Sequence, residues 1–488
     1  MELIIVLLLM CAAMATVITS IPTNLRRPGA YHEFIHTQAG RGLVALDKRV
    51  LLIGVKSAAG TATVAQPTQA FDEADGETKA GRGSPLDLML KKAFRQARKS
   101  NAMPEIWFVA VAAPGGVAAV QTLTVTGTAT ASGNIVIRIA GRPGVVGVSS
   151  GDAQNTVAAA INTAINAMLR DLPLTSSVAT NVVTCTNVAT GTHGNDVFYE
   201  VVQSVAGTTV TPAQSVAGTG AIDITASLDV SLDKDYEFLA THSHVANDVS
   251  DYIAHTTVAW GFQEKKYRFG VIGERGTLST ANALATGGND KTVIVVGYED
   301  CPNTPGEIAT AFAVAAACSP RPNSNLDGIE LDLYPPPSAS AFTAAEVESA
   351  LASGMTPLSP TFNGSGTKIE RAVTTLTTVN AAPFEPLRDL QYPRTAAFMA
   401  KQEDIAYATR FQQETIDGDG ELLKRVRDMV IELHRSAELN KILRNVDDYL
   451  PQIIVEEAAS PAGRLLVQDA FKVAGPLHQA AFVHVHYL

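Results

Sequence analysis

Short unbroken apolar runs recur between stretches of helical periodicity, and this alternation constrains the fold more than any other feature of the chain. The runs are Val50-Leu-Leu-Ile-Gly-Val55, Ile106-Trp-Phe-Val-Ala-Val111, Tyr236-Glu-Phe-Leu-Ala240, Arg268-Phe-Gly-Val-Ile-Gly273 and Lys291-Thr-Val-Ile-Val-Val-Gly297. A run this short that does not alternate with polar residues is a strand buried on both faces. Between them, Ser84-Pro85-Leu86-Asp87 opens a helix, with Ser at N-cap, Pro at N1 and an acid in the first turn. Leu86, Leu90, Ala93, Phe94 and Ala97 form its apolar stripe, and Lys91, Lys92, Arg95, Arg98 and Lys99 read as a solvated face. Further helices are expected from Ala246 to Lys265, from Glu307 to Cys318 and from Thr343 to Ser353, with a polar loop from Ala65 to Gly83. Strands separated by helices of this length form βαβ units and a largely parallel sheet, so the class is α/β.

Between Gly115 and Leu228 the composition changes. Thr, Val, Ala and Gly dominate, Lys is absent, and Arg138, Arg142 and Arg170 are the only arginines. Leu123-Thr-Val-Thr, Asn134-Ile-Val-Ile-Arg-Ile139 and Asn181-Val-Val-Thr-Cys-Thr186 alternate as half-buried strands do. One helix interrupts them, with Val157, Ile161, Ile165 and Leu169 four residues apart and Asp152 near its start. Residues 116–228 therefore read as an inserted β-rich domain, dividing an α/β domain into 32–115 and 229–380.

Gly366-Thr-Lys-Ile-Glu-Arg-Ala-Val-Thr-Thr-Leu-Thr-Thr-Val-Asn380 reads as one extended strand, Ile369, Arg371, Val373 and Thr375 on one face and Glu370, Ala372 and Thr374 on the other. The remainder, 381–488, is an α+β unit. Its helix from Glu421 is amphipathic, with Leu422, Val426, Met429, Val430 and Leu433 inward and Lys424, Arg425, Arg427 and Arg435 on or near the outer side. Gly463 to Gln468 and Ala480 to Leu488 read as strands, the last ending at the final residue and needing a partner sheet.

No catalytic, cofactor or metal site emerges. Gly76 to Gly81 has the glycine spacing of a phosphate loop, but Arg82-Gly83 stands where Lys-Ser/Thr belongs. Gly270, Gly273 and Gly276 follow a strand without the Gly-x-Gly turn. Asp417-Gly-Asp-Gly-Glu421 lacks the further ligands of a calcium loop. His242 with His244, and His484 with His486, could each share a strand face, but neither pair has an evident third ligand. Cys11, Cys185, Cys301 and Cys318 show no metal spacing and read as free thiols. A net charge of −11 argues against general nucleic-acid binding, and 46% hydrophobic residues among 488 against disorder. The apolar run at residues 1–13 has signal-peptide length but Glu2 and no basic residue before it. It reads as an over-extended start, with Met14 the plausible true start, and otherwise as an export signal.

Several of these segments, in this order, resemble contractile tail sheath proteins of Mu-like phages and prophages. Pro22, Arg27, Pro28, Gly29 and Tyr31 fall on that family's extended N-terminal arm; Gly83-Ser84, Trp107, Gly127-Thr-Ala-Thr-Ala131 and Ile369-Glu-Arg-Ala-Val-Thr-Thr375 follow. The resemblance implies a non-enzymatic structural subunit, without cofactor, that polymerises as hexameric rings around a tail tube and contracts to drive the tube through the host envelope. It implies 381–488 as the assembly domain, and as partners other copies of the chain, the tube protein, and baseplate and terminator proteins, without nucleic acid or stable membrane insertion. Localisation would be the virion tail, and the host cytoplasm during assembly. Subunits that slide without separating call for exchanged terminal segments, here the arm (Pro22, Arg27, Pro28, Tyr31, within 14–31) and the last strand (Phe482, Val483, Val485, Tyr487). Lys424, Arg425, Arg427 and Arg435 are the candidates for facing the tube. The alternative is a secreted or surface-anchored adhesin-like protein, which the apolar leader and the Thr/Val/Gly-rich insert would suit.

Overall fold

The computed structural model describes residues 42–416, 420–459 and 463–478. In chain order, β1 (Arg49–Val55) is followed by β2 (Pro67–Ala70), α1 (Glu73–Ala80), α2 (Pro85–Lys99) and β3 (Glu105–Val111). The expected loop from Ala65 to Gly83 is thus a short strand and a helix. Its polar residues make the helix end: Asp72 accepts from the Asp75 N–H, and Lys79 lies 2.8 Å from Asp75. β2 begins at a proline and closes one edge of the main sheet, where a missing donor is tolerated.

Next come β4 (Val120–Gly127), β5 (Gly133–Ile139), β6 (Arg142–Val148), α3 (Gln154–Met168), β7 (Leu174–Ala179), β8 (Val182–Asn187), β9 (Tyr199–Gln203) and β10 (Thr208–Val216). They form two antiparallel sheets, β10-β4-β8-β7 and β6-β5-β9. Period-two alternation turns Leu123, Val125, Ile135 and Ile137 inward, where Val157, Ile161 and Ile165 of α3 meet them in a core separate from those of the main sheet. The two ends of this segment run side by side: the Val117 N–H donates to Thr219 Oγ1 at 3.1 Å and the Thr219 N–H to the Val117 carbonyl at 3.0 Å.

The main sheet resumes with β11 (Phe238–Thr241), α4 (Ala246–Ala259), β12 (Phe269–Glu274), α5 (Leu278–Thr286), β13 (Val293–Gly297), α6 (Pro305–Cys318), β14 (Glu330–Leu331), α7 (Ala344–Ala352), β15 (Met355–Pro360) and β16 (Thr367–Ile369). Strand order is β14-β16-β15-β13-β12-β11-β1-β3-β2, parallel from β15 through to β3 and antiparallel at both edges. β1 sits beside β11 with Val50 opposite Phe238. Val50 and Leu52 point into one core with Met89 of α2 and Phe312 of α6; Leu51 and Ile53 join Tyr252, Leu284 and Ala350 on the other face. Two apolar faces per strand explain the unbroken runs. The glycines of β12 serve helix packing: a Cβ at Gly273 would stand 2.1 Å from the Pro305 carbonyl oxygen, and one at Gly270 would stand 2.6 Å from the Tyr252 ring.

Three further expectations are corrected. Lys91 and Lys92 are buried, not solvated. Lys91 Nζ lies 2.8 Å from Asp87 and donates to the Arg170 carbonyl at 2.7 Å, while Lys92 Nζ lies 3.1 Å from Asp332. The turn after α3 and the segment beyond β14 cover that side of α2. Helix α4 ends at Ala259, before Lys265. The stretch 366–380 is not one strand. Beyond β16, its donors go to unrelated acceptors: the Val373 N–H to the Thr356 hydroxyl, Thr374 to the Arg388 carbonyl, Thr375 to the Val293 carbonyl. No single neighbouring strand runs alongside it. After β17 (Thr378–Val379) and β18 (Ala382–Pro383) the chain forms α8 (Gln391–Arg410), α9 (Glu421–Leu439) and the hairpin β19 (Ile454–Glu457) and β20 (Leu465–Gln468).

Candidate assembly surface

Helix α9 buries Leu422, Val426, Met429, Val430 and Leu433, as its periodicity predicts. Lys424 and Arg435 lie three turns apart on one side, with Arg425 about 100° round the helix. All three project outward, each beside an acid: Lys424 and Glu421 at 2.7 Å, Arg425 and Glu414 at 2.8 Å, Arg435 and Asp447 at 3.4 Å. Exposed pairs of this kind contribute about 0–1 kcal/mol, so they leave the face open to other charges. Arg427 is placed differently. It donates to the carbonyls of Leu450 (3.0 Å) and Ile453 (3.1 Å), fastening the turn before β19 to the helix. Pro22, Arg27, Pro28, Tyr31, Phe482, Val483, Val485 and Tyr487 lie outside the described residues, as do His484 and His486.

The hairpin β19–β20 was only half legible in the sequence. The strand at Gly463 to Gln468 is present, but its partner at Ile454 was missed, although Ile453-Ile454-Val455 is a β-branched run. Among the described residues these strands pair only with each other, and Ile454, Leu466 and Val467 are exposed. An isolated two-stranded ribbon is marginal alone, and its unpaired backbone edges are templates for another strand.

Gln402 and Arg394 are among the side chains that clasp α8 to the rest. The Gln402 amide accepts from the Val44 N–H and donates to the Val44 carbonyl, both at 2.8 Å, imitating a strand partner. Arg394 lies 2.5 Å from Glu237, at the start of β11, and 2.6 Å from the Ser319 hydroxyl at the end of α6.

His242 and His244 follow the end of β11 and do not act as a pair. His242 is buried and packs edge-on against His193 at 5.4 Å; burial first, then the neighbouring imidazole, lower its pKa to about 3. His244 sits between two carboxylates, Nδ1 2.8 Å from Glu274 and Nε2 3.2 Å from Asp196. Burial alone would lower its pKa, but the hydrogen bonds to Asp196 and Glu274 outweigh it and raise it to about 10. The protonated ring therefore joins the turn before β9 to the end of β12. The three described cysteines are free, their thiols pushed up to about 11 or 12 chiefly by burial. Among the described residues no helix is long and apolar enough to cross a membrane.

The architecture, a mixed sheet carrying a separate antiparallel unit and a helical C-terminal region, is the fold of contractile-system sheath proteins. It matches the crystal structure of a sheath tail protein from Listeria innocua, covering 89% of this chain and 93% of that one, with a TM-score of 0.51 at 14% identity. It also matches a chain of the contracted sheath complex of an extracellular contractile injection system, PVC (TM-score 0.50, 11% identity, 95% and 98% covered), and one from the anti-feeding prophage baseplate (TM-score 0.51, 8% identity, 95% and 100% covered). In sequence the chain is similar to the Mu-like prophage FluMu tail sheath protein of Haemophilus influenzae, 26% identical over 364 residues, 73% of each chain. The resemblance to Mu-like tail sheath proteins therefore holds in both sequence and fold. No family model matches the chain.

Proposed function

We propose that the chain is the structural subunit of a contractile tail sheath, stacking as hexameric rings around a tail tube and shortening to drive the tube through the host envelope. The observation that carries this is extent: about nine-tenths of the chain, rather than one domain, matches a sheath protein, at 89% and 93% coverage. In this reading 32–115 and 229–380 form the sheath's α/β body, 116–228 an outer domain, and 381–488 the assembly domain. The subunit needs no nucleotide, because work comes from interfaces that improve when one packing of the subunits gives way to another. The open hairpin β19–β20 supports exchange of terminal strands between neighbours, with 14–31 and 482–488 as the exchanged segments. The outward side of α9, with Lys424, Arg425 and Arg435, would face the tube, while Arg427 steadies the hairpin's root. Partners would be further copies of the chain, the tube protein, and baseplate and terminator proteins, in the virion tail after assembly in the host cytoplasm. Negative-stain electron microscopy of the purified full chain tests the reading. Tubes or six-fold rings are expected; monomers at every concentration and salt tried would refute it.

A further inference from the structure

Glu403 on α8, His434 on α9 and Asp469 just beyond β20 converge between three elements. Each offers one donor atom, two carboxylate oxygens and a ring nitrogen, and all three lie within 4.8 Å of one another. His434 is 1% exposed, with Nε2 3.0 Å from Asp469 Oδ1 and Phe471 packed edge-on against its ring at 5.7 Å. The imidazole is thus fixed in orientation and aimed at the acids. A cavity of about 340 Å³, bounded by Tyr407, Met429 and Leu465 among others, is lined by Glu403 but not by His434 or Asp469.

We propose that Glu403, His434 and Asp469 bind one divalent transition-metal ion of the Zn²⁺ class. One imidazole nitrogen with two carboxylate oxygens suits such an ion and not a hard one such as Ca²⁺, which takes six to eight oxygens. Donors at about 2.0–2.2 Å from a tetrahedral ion stand roughly 3.3 Å apart, so the widest separation must close by at most about 1.5 Å. The three rotatable bonds of Glu403 supply that movement without shifting α8. A water molecule would fill the fourth position. The bound ion would join α8, α9 and the hairpin into one block, giving the hairpin an anchor independent of Arg427.

The full chain, stripped with chelator and dialysed, is titrated with ZnCl₂ by calorimetry and melted with and without the ion, with Co²⁺ as a spectroscopic probe. One Zn²⁺ per chain is expected, with a Tm higher by several degrees and a Co²⁺ visible spectrum marking low-symmetry nitrogen and oxygen ligation. Glu403→Gln keeps the side-chain shape and a hydrogen bond to Asp469, so it should melt like the wild type without metal yet bind at least about tenfold more weakly. Asp469→Asn should do the same. Absence of saturable binding near one equivalent would overturn the proposal. Equal affinity in both variants would place the ion elsewhere and overturn it too.

Discussion

The His244 bridge gives the sharpest prediction. Its ring carries charge between Glu274, which is almost fully buried, and Asp196 on the antiparallel unit. The folded pKa is about 10 against an ordinary 6.5. A raised pKa contributes stability that is fully present below pH about 6.5 and is lost as pH climbs through about 10. A gap of that size corresponds to at most about 5 kcal/mol. His244 is 26% exposed, and Glu274 keeps a hydrogen bond from the Gly276 N–H, so screening reduces the expectation to about 2–3 kcal/mol. His244→Gln should therefore unfold about 2–3 kcal/mol more easily than wild type at pH 6.5 in urea. The difference should shrink steadily on raising the pH and almost vanish at pH 10. Protection of β9 and β12 amides from hydrogen exchange should fall first, because the bridge joins those two elements. A wild-type-to-variant difference that stays flat between pH 6.5 and 10, or falls below about 0.5 kcal/mol at pH 6.5, would refute the charged-bridge argument.

Three further outcomes are expected. Replacing Ala118 to Gly218 by a short Gly/Ser linker should leave a folded remainder that still polymerises, because Val117 and Thr219 are already hydrogen-bonded neighbours and the buried Ile224 and Leu228 are kept; aggregation on purification counts against it. A chain ending at Gln479, or one carrying Val485→Pro, should stay folded but fail to polymerise by sedimentation and electron microscopy, whereas long tubes would contradict strand exchange. Gln402→Ala removes both hydrogen bonds to Val44 and should cost about 1–3 kcal/mol in chemical denaturation, with faster proteolysis near Val44; an unchanged midpoint would mean the clasp carries no load.

The parallel sheet was legible because burial on two faces leaves a mark in composition: β1, β12 and β13 have almost nothing polar to alternate with. The helix beginning at Pro85 was legible for a local reason, since Ser84 and Asp87 supply its cap within four residues. What failed was anything decided by distant neighbours. Lys91 and Lys92 look like a solvated pair until Arg170 and Asp332 are brought over them. The β-branched stretch at 367–379 bends at Glu370 and Thr375, because β propensity says nothing of whether one neighbour will run alongside it. Glu403, His434 and Asp469 stand on three elements, and no spacing rule searches across such gaps.

The pairing of β1 with β11 has a kinetic consequence. Val50 meets Phe238, and between them in sequence lie β3 and the whole antiparallel unit. At about 5–20 residues per second, a ribosome takes on the order of 10–40 s to deliver β11 after β1. During that interval β1 and β3 can pair, but their far edge is an uncovered hydrophobic strand of the kind that attracts chaperones or other nascent chains. The antiparallel unit, with its own core, can fold while the sheet waits. Synthesis rate and chaperone supply should therefore govern the yield of soluble subunit more strongly than the stability of the finished fold.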